Sequence, residues 1–279
     1  MSVMAASLRE VKASYAFIER NFNLTKRYFT WEIVFMVYSV VQALSILYIG
    51  DSMGVGPAAI KGPALARVIL FLSIGALVWS YLSTVFEIIS ETITWERWEG
   101  TIEYTLMAPV SRLTHLVGTS LFGVAYSLLR TVLILGILSL FFHIDLSHAN
   151  LLSSLVVVVL SSFSFIGLGI MAAVLPLLYT ERGAQMTYVI SSALLLVSGV
   201  YYPVGVLPGW MQVIGTVSPA NYALESIRGA VMNGRSVVDL WPDVWPLLVI
   251  GAVTIPLGLA VFQRAERYAK RTGKLKRSG

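Results

Sequence analysis

The sequence predicts an all-α integral membrane protein with six transmembrane helices, an N-terminal amphipathic interfacial helix, a cytoplasmic surface helix and an outer re-entrant helical hairpin. Three observations support this fold class. Of the 279 residues, 57% are hydrophobic and 13% are charged, whereas soluble domains have about 25% charged residues. Six apolar runs are long enough to cross a bilayer, which takes about twenty residues. Basic residues are concentrated in the segments that these runs place on one side of the membrane.

Residues 1–30 are predicted to form an amphipathic helix on the inner membrane surface. Mostly apolar side chains recur at alternating spacings of three and four, which places them on one helical face: Leu8, Val11, Tyr15, Ile18, Phe22, Thr25 and Phe29. Basic residues occupy the other faces, where they lie near anionic lipid. A short coiled coil is the alternative, but a single stripe of four turns beside a membrane span favours the surface helix. These thirty residues also lack the apolar core of a cleavable signal peptide.

The predicted transmembrane domain, residues 31–262, contains spans at about 31–49, 66–89, 115–142, 151–178, 186–206 and 244–262. Fifteen of the twenty Lys and Arg residues fall in segments assigned to the cytoplasm, including five before the first span and seven in the basic tail 263–279. This distribution is the positive-inside bias. The sequence therefore predicts a multi-pass protein of the cell membrane with both termini in the cytoplasm.

Acidic residues are most concentrated around residues 91–108, directly after the second span. Drawn as a helix, this segment has two tryptophans on one side and three carboxylates on an adjacent side. Such a helix would lie flat, with its tryptophans toward the headgroups and its carboxylates toward a soluble partner in the cytosol. We expect a bend at Gly100, because glycine costs about 1 kcal/mol relative to alanine in a helix. A solvated loop is the alternative. The side chains are Trp95 and Trp98, and Glu96, Glu99 and Glu103.

The segment between the fifth and sixth spans is predicted to form a re-entrant hairpin over about residues 207–234. Pro208 can open a first short helix, and Ser218 with Pro219 can cap and open a second that ends near Gly234. Both helices are too short to cross the bilayer, and their apolar side chains favour a hairpin that dips into the outer leaflet, where surrounding protein buries the backbone.

The residues needed for several other functions are missing from the sequence. No phosphate-binding loop of the type G-x-x-x-x-G-K-[ST] is present, so the chain cannot bind ATP by that route, and cofactors are expected only on a partner. Cysteine is absent, the three histidines lie near span ends, and no metal site is predicted. An enzymatic function is therefore not expected. The net charge of +5 follows the membrane topology, which argues against a nucleic-acid partner.

Arg130 is a charged residue near the centre of the third predicted span, where a lone charge costs at least about 2.5–3.5 kcal/mol. At a similar depth lies Gln42 of the first span, and Glu225 of the hairpin could reach Arg130 if the hairpin dips deeply. One interpretation is a contact with the transported substrate or a gate. The other is a structural pair or hydrogen bond inside the helix bundle. A lipid-facing arginine is the least favourable arrangement.

Two motifs resemble the membrane subunits of ABC type 2 exporters. The first is ERWEGTIE at 96–103, followed by APVSR at 108–112. The second comprises SGVYYP at 198–203, LPGW at 207–210 and SPANYALESIR at 218–228. They occur in the family's order, and with six spans between the tails they cover nearly the whole chain. A tyrosine pair, Tyr201 and Tyr202, stands where the family often has phenylalanines, and Ser-Pro stands where Asn-Pro is common.

The resemblance implies a half-transporter, in which two membrane subunits work with two separate ATP-binding subunits. A homodimer of this chain is favoured over a heterodimer. ATP and Mg²⁺ would be bound by the ATP-binding subunits. The surface helix would be the coupling helix that contacts the ATP-binding subunit, and membrane lipids would be further partners. The coupling residues would be Trp95, Glu96, Trp98, Glu99, Gly100, Glu103 and Arg112. The translocation path or gate would include Arg130, Gln42, Tyr201, Tyr202 and Glu225.

Three functions compete at this stage. The first is export of an amphiphilic small molecule, such as a drug or lipid, from the cytoplasm or inner leaflet. The second is export of a lipid-linked polysaccharide by the same architecture. The third is a membrane channel or scaffold that acts without ATP. Copurification of an ATP-binding subunit separates the third function from the first two.

Overall fold

The computed structural model describes residues 3–55 and 59–275, with side chains from residue 10 onward. Within these residues the secondary structure consists of α-helices and one short 3₁₀ helix. No strand is formed there, which confirms the all-α class. The side chain of Leu8, at the start of the predicted amphipathic stripe, and residues 276–279 of the basic tail lie outside the described residues.

Helices account for most of the described chain. The first part forms α1 (Val3–Arg27), α2 (Phe29–Ser52), α3 (Pro63–Glu99), α4 (Ile102–Met107) and α5 (Arg112–Phe141). The second part forms α6 (Leu151–Ala172), α7 (Val174–Leu178), α8 (Gly183–Val197), a 3₁₀ helix (Val204–Val206), α9 (Gly209–Val217), α10 (Pro219–Asn233) and α11 (Trp241–Thr272).

Local sequence explains where the key helices begin and end. Pro63 occupies the first turn of α3, where its missing N–H is not needed. Gly100 ends α3 with a φ of +75°, a left-handed conformation that favours glycine. The Ser111 hydroxyl caps α5 by accepting a hydrogen bond from the Thr114 N–H at 3.0 Å. These signals fix the chain reversal between α3 and α5.

Five helical segments of the described chain are long and apolar enough to cross a membrane: Phe29–Ser52, Pro63–Glu99, Arg112–Phe141, Leu151–Leu178 and Trp241–Thr272. The protein is therefore a multi-pass membrane protein. The predicted fifth span, 186–206, corresponds to the shorter apolar helix α8, whose 15 residues extend about 22 Å. This helix ends because the chain turns at Gly199, which has a φ of +67°. The count of six spans therefore stays a prediction.

The predicted surface helix over 91–108 is divided into two pieces. Residues up to Glu99 continue the long helix α3, and Ile102–Met107 form the separate short helix α4. The left-handed Gly100 between them lets the chain change direction. The first half of the segment is thus a continuation of the second span, and only the second half is a separate element.

Helix α3 lies at the centre of the bundle and packs against α2, α5, α6, α8 and α10. Its buried residues Tyr81, Leu82 and Phe86 form a core with Phe165 of α6. Helices α6 and α11 pack tightly because glycines allow their backbones to approach closely. A side chain at Gly167, for example, would overlap Thr254 of α11.

Helix α1 packs along the first turns of α5, and its Arg20 forms an ion pair with Glu96 near the C-terminal end of α3. The Ser14 hydroxyl donates to the Thr114 carbonyl at 3.4 Å, and the ring of Phe17 lies 4.5 Å from that of His115. The opposite face of α1 leaves Val11, Tyr15 and Phe22 largely exposed.

Candidate functional site

A cavity of about 890 Å³ lies between α2, α3, α5 and α8, and the end of α1 closes part of it. This volume is within the range of about 300–1,000 Å³ that is usual for ligand sites. Its lining follows α3 from Ala76 to Glu99, a distance of about 35 Å along a helix. The cavity therefore extends along α3 to the C-terminal end of this helix.

Three half-buried carboxylates line the cavity. Glu87 and Glu91 lie four residues apart on one face of α3, and Glu32 lies on α2. Each wall supplies hydroxyl donors: the Tyr188 hydroxyl of α8 donates to Glu91 at 3.0 Å, and the Tyr126 hydroxyl of α5 donates to Glu32. The carboxylates of two helices are thus held by tyrosines from two others.

Arg130 of α5 lines the same cavity and contacts α2. Its guanidinium donates to the Ser39 hydroxyl at 2.6 Å and to the Phe35 carbonyl at 3.0 Å. Gln42, one turn further along α2, lines the cavity as well. The arginine therefore links α5 to α2 and faces the cavity at the same time.

The suggested pair between Arg130 and Glu225 is not formed, and this expectation is wrong. Glu225 lies 3.7 Å from Arg228 on its own helix, and its side chain is 59% exposed. The physical reason is the position of α10, which packs on α3, α6 and α11 and away from α2. Arg228 itself donates to the carbonyls of Gly199 and Val200, at 3.1 and 2.7 Å.

The two tyrosines that follow α8 occupy different environments. Tyr201 lines the cavity and packs against the apolar cluster that contains Ala76. The Tyr202 hydroxyl instead donates to the Leu196 carbonyl at 2.6 Å, and Tyr202 is not part of the lining. The structure therefore brings Gln42, Arg130 and Tyr201 to one cavity and leaves Tyr202 and Glu225 outside it.

Aromatic side chains line the cavity at the C-terminal end of α3. Trp95, Trp98 and Glu99 of α3 line it. The ring of Tyr28 stacks on Trp95 at 5.4 Å, and the Tyr28 hydroxyl donates to Glu99 at 3.3 Å. Trp98 and Glu99 are exposed. These residues thus lie between the cavity and the surface at this end of the helix.

Glu96 does not face the cytosol, so the predicted common face of three carboxylates is wrong for this residue. Its side chain is 0% exposed and forms an ion pair with Arg20 of α1 at 2.5 Å. The ring of His115 is 3.6 Å away. The reason is that α3 continues straight to Glu99, which turns position 96 toward α1 and α5. Glu103, on α4, is exposed.

Arg112 holds the short helix α4 in place. Its guanidinium donates to Glu266 of α11 at 2.8 Å and to the carbonyls of Thr105 and Leu106. Lys270 of α11 also donates to the Leu106 carbonyl, at 3.1 Å, and pairs with Glu266 at 2.7 Å. Two cations therefore bind the C-terminal carbonyls of α4, where the helix dipole favours positive charge.

Sequence reasoning did not identify Glu32, Glu87, Glu91 and Arg97 as site residues. Arg97 is 2% exposed and joins the C-terminal end of α3 to the carbonyls of Leu177 and Lys274 through hydrogen bonds. The sequence did contain a signal for Glu87 and Glu91. Two carboxylates four residues apart stand at the end of an otherwise apolar span, and ionisable residues in such a place indicate a functional site. In the described part of the chain, no group of His, Asp and Glu is arranged to hold a metal ion.

A comparison with known protein families shows to which family this chain belongs. The model of the family described as ABC-2 type transporter matches residues 15–232. The chain belongs to the ABC-2 type transporter family. The match confirms the predicted resemblance, and it covers all the helices that form the cavity. It makes the protein a membrane component of a transport system.

Two named ABC permeases are similar to this ABC-2 chain. The probable multidrug ABC transporter permease YbhR of Escherichia coli strain K12 is 24% identical over 181 residues, which cover 64% of this chain and 48% of YbhR. The linearmycin resistance permease protein LnrN of Bacillus subtilis strain 168 is 29% identical over 126 residues, covering 44% of this chain and 32% of LnrN. The chain thus aligns with about half or less of the length of these relatives.

Proposed function

We propose that this chain is the transmembrane subunit of an ATP-driven exporter, which moves an amphiphilic small molecule, a drug or a lipid out of the cytoplasm or inner leaflet. A separate ATP-binding subunit would supply the energy. The observation that carries this proposal is the 890 Å³ cavity, which runs from Tyr201 to the exposed inner end at Trp98 and Glu99.

The composition of the cavity wall favours an amphiphilic substrate. Aromatic rings, among them Trp31, Phe35 and Trp79, supply apolar surface, while carboxylates and hydroxyls supply polar contacts. Ligand sites commonly combine these two kinds of surface. The printed names of YbhR and LnrN, a multidrug permease and an antibiotic-resistance permease, support the same class of substrate. No contact of the described residues favours a polysaccharide over a small amphiphile.

Contacts between α8 and α3 support a sixth crossing. The Thr187 hydroxyl lies 2.8 Å from that of Ser90, and the Val200 carbonyl lies against Gly75. The segment from Thr187 to Val200 therefore runs antiparallel to α3 over fifteen residues, or about 22 Å. Together with the irregular chain after Gly199, it would complete the crossing of a hydrocarbon core about 30 Å thick. Both termini would then lie in the cytoplasm, and α9 with α10 would form the outer re-entrant hairpin.

The coupling surface would consist of Trp98 and Glu99 at the end of α3 and Glu103 on α4, because these side chains are exposed at the inner end. Gly100 allows the turn between the two helices, and Arg112 anchors α4 to α5 and α11. Glu96 and Trp95 would act from inside, by fixing α1 against α3. A movement of α4 would thus be transmitted to α3, α5 and α11 together.

The unpaired apolar face of α2 would be shared by membrane lipids and a second membrane subunit, as a homodimer. Val34, Val37 and Val41 of this face are about half exposed, and α2 forms one wall of the cavity. A second copy placed there would complete the path.

Affinity purification of the full chain from its native membrane tests this function. We expect an ATP-binding subunit to copurify in detergent, and ATP hydrolysis of the complex to rise when an amphiphilic substrate is added. Ion flux through the purified chain alone, without an ATPase partner, would instead support the channel hypothesis and contradict the proposal.

A further inference from the structure

The buried carboxylates outside the cavity are neutralised by direct ion pairs. Glu96 pairs with Arg20 at 2.5 Å, and Glu266 pairs with Arg112 at 2.8 Å and Lys270 at 2.7 Å. This is the usual arrangement, because a buried charge without a partner is strongly unfavourable.

The carboxylates of the cavity have no such partners. Within residues 10–55 and 59–275, no Lys, Arg or His nitrogen comes within 4.0 Å of Glu32, Glu87 or Glu91. Glu32 and Glu91 accept hydrogen bonds from tyrosine hydroxyls, which carry no charge. Arg130, the cation of the cavity lining, directs its guanidinium to Ser39 and Phe35 of α2. Acidic groups therefore outnumber basic ones on this wall, and none is directly neutralised.

A buried amide at the end of the same cavity next to α1 also lacks a partner. Asn21 of α1 is only 6% exposed and lines the cavity, yet no hydrogen-bond partner is present for its Nδ2 atom among the described residues. A buried amide normally makes its hydrogen bonds. The end of the cavity next to α1 therefore holds a buried polar group that the described residues leave without a hydrogen bond.

We propose that the cavity binds amphiphilic cations, with Glu87 and Glu91 facing the positive group. This inference deepens the proposed export function and rests on it. Carboxylates would offset the cost of removing the cation from water. The faces of Trp31, Trp79 and Trp95 would hold the apolar part and attract the positive charge through cation–π contacts.

A pair of ions with the same shape and opposite charge tests the proposal. The purified full chain is placed in nanodiscs of zwitterionic lipid, and the binding of tetraphenylphosphonium and tetraphenylborate is measured by equilibrium dialysis, with empty nanodiscs subtracted. We expect saturable binding of the cation with about a ten-fold or greater preference over the anion. Equal binding, or tighter binding of the anion, would overturn the proposal.

Matched variants assign the charge selectivity to the cavity. Glu87→Gln/Glu91→Gln is expected to weaken tetraphenylphosphonium binding about ten-fold. Glu19→Gln/Glu181→Gln, which neutralises two exposed carboxylates outside the cavity, is expected to bind as the parent does. Unchanged cation binding in the first variant would contradict the role of the acidic pair. If that variant does not fold, Glu91→Gln alone replaces it, and the comparison of the two ions on the parent chain still decides.

The binding measurement needs neither ATP nor a second kind of subunit, so it separates this proposal from the proposed function. Cation-selective binding by a chain that recruits no ATPase would leave the cation site standing and refute ATP-driven export. ATP-driven transport of a neutral amphiphile, with no preference between the two ions in binding, would support ATP-driven export and refute the cation site.

Discussion

Arg20 and Glu96 join helix α1 to the C-terminal end of α3 through one ion pair that is mostly shielded from water. Removing one partner of a buried pair costs about 3–5 kcal/mol, because the other charge stays buried and unpaired. The Arg20 side chain is 30% exposed, so we expect Arg20→Gln to lower the free energy of unfolding by about 3 kcal/mol, the lower end of this range. Thermal unfolding in detergent measures this loss.

Two further variants show whether that loss of stability comes from the ion pair between Arg20 and Glu96. Lys12→Gln alters an exposed charge on the same helix and is expected to change stability by less than about 1 kcal/mol. Arg20→Gln combined with Glu96→Gln is expected to recover part of the loss, because it leaves no buried charge. Unfolding of Arg20→Gln at the parental temperature would show that the pair contributes nothing.

Arg130 is expected to be needed for transport because its guanidinium bridges α5 and α2 at the cavity wall. Arg130→Leu removes both hydrogen bonds to α2, each worth about 1.5–3 kcal/mol when a charged group is involved. We expect a clear loss of transport or of assembled protein, whereas Arg130→Lys, which keeps one donor and the charge, is expected to retain part of the activity. Normal folding and transport of the leucine variant would rule out both a gating and a bridging role.

The depth of Arg130 could be predicted from the sequence, but its partners could not. Hydropathy predicts the position of a residue along the membrane normal, and Gln42, expected at a similar depth, lines the same cavity as Arg130. The rotation of each helix about its axis is set by packing between helices, and one sequence does not state which faces meet. A contact between Glu225 and Arg130, expected only if the hairpin dips deeply, is therefore absent, because α10 packs on α3, α6 and α11.

Helix α4 and the end of α3 form the element proposed to contact the ATP-binding subunit. Glu99→Gln/Glu103→Gln removes the two exposed carboxylates of this element. Because exposed charge pairs are each worth about 1 kcal/mol or less, the double variant is expected to weaken ATPase association roughly ten-fold while leaving insertion intact. Copurification at graded detergent and salt concentrations measures the change.

The matched control neutralises two exposed carboxylates, Asp145 and Asp239, that would lie on the outer side. Asp145→Asn/Asp239→Asn is expected to retain the ATPase as the parent does. Equal retention by both double variants would mean that Glu99 and Glu103 do not contribute to the interface.

Helix content along the chain could be read from the sequence more easily than helix ends. Gly100 was expected to bend a single surface helix, but its left-handed conformation ends one helix, so α3 continues to Glu99 and α4 starts separately. Periodicity alone cannot distinguish a bent helix from two helices. For the same reason the apolar run 186–206 was read as one span, although its helical part stops at Val197.

At the scale of the whole molecule, the prediction is six crossings with Glu181 inside and Ser147 and Val238 outside. The chain contains no cysteine, so Ser147→Cys, Glu181→Cys and Val238→Cys each introduce one unique thiol. In intact cells an impermeant thiol reagent is expected to label the first and third variants. Glu181→Cys should react only after the membrane is permeabilised. The same labelling of Glu181→Cys and Val238→Cys would mean that α8 and the chain after it do not cross.

Transport through the cavity is tested most directly by filling it. Ser192 is exposed on α8 and lines the cavity, whereas Val189, one turn earlier and also exposed, does not. The measurement is ATP-dependent uptake of a fluorescent amphiphilic cation into inverted membrane vesicles that contain the chain and its ATP-binding subunit. We predict that Ser192→Trp lowers this uptake about ten-fold, because ΔΔG of about 1.4 kcal/mol gives that factor, while Val189→Trp leaves it at the parental rate. Uptake that is unchanged in Ser192→Trp, or that proceeds without ATP, would contradict the account.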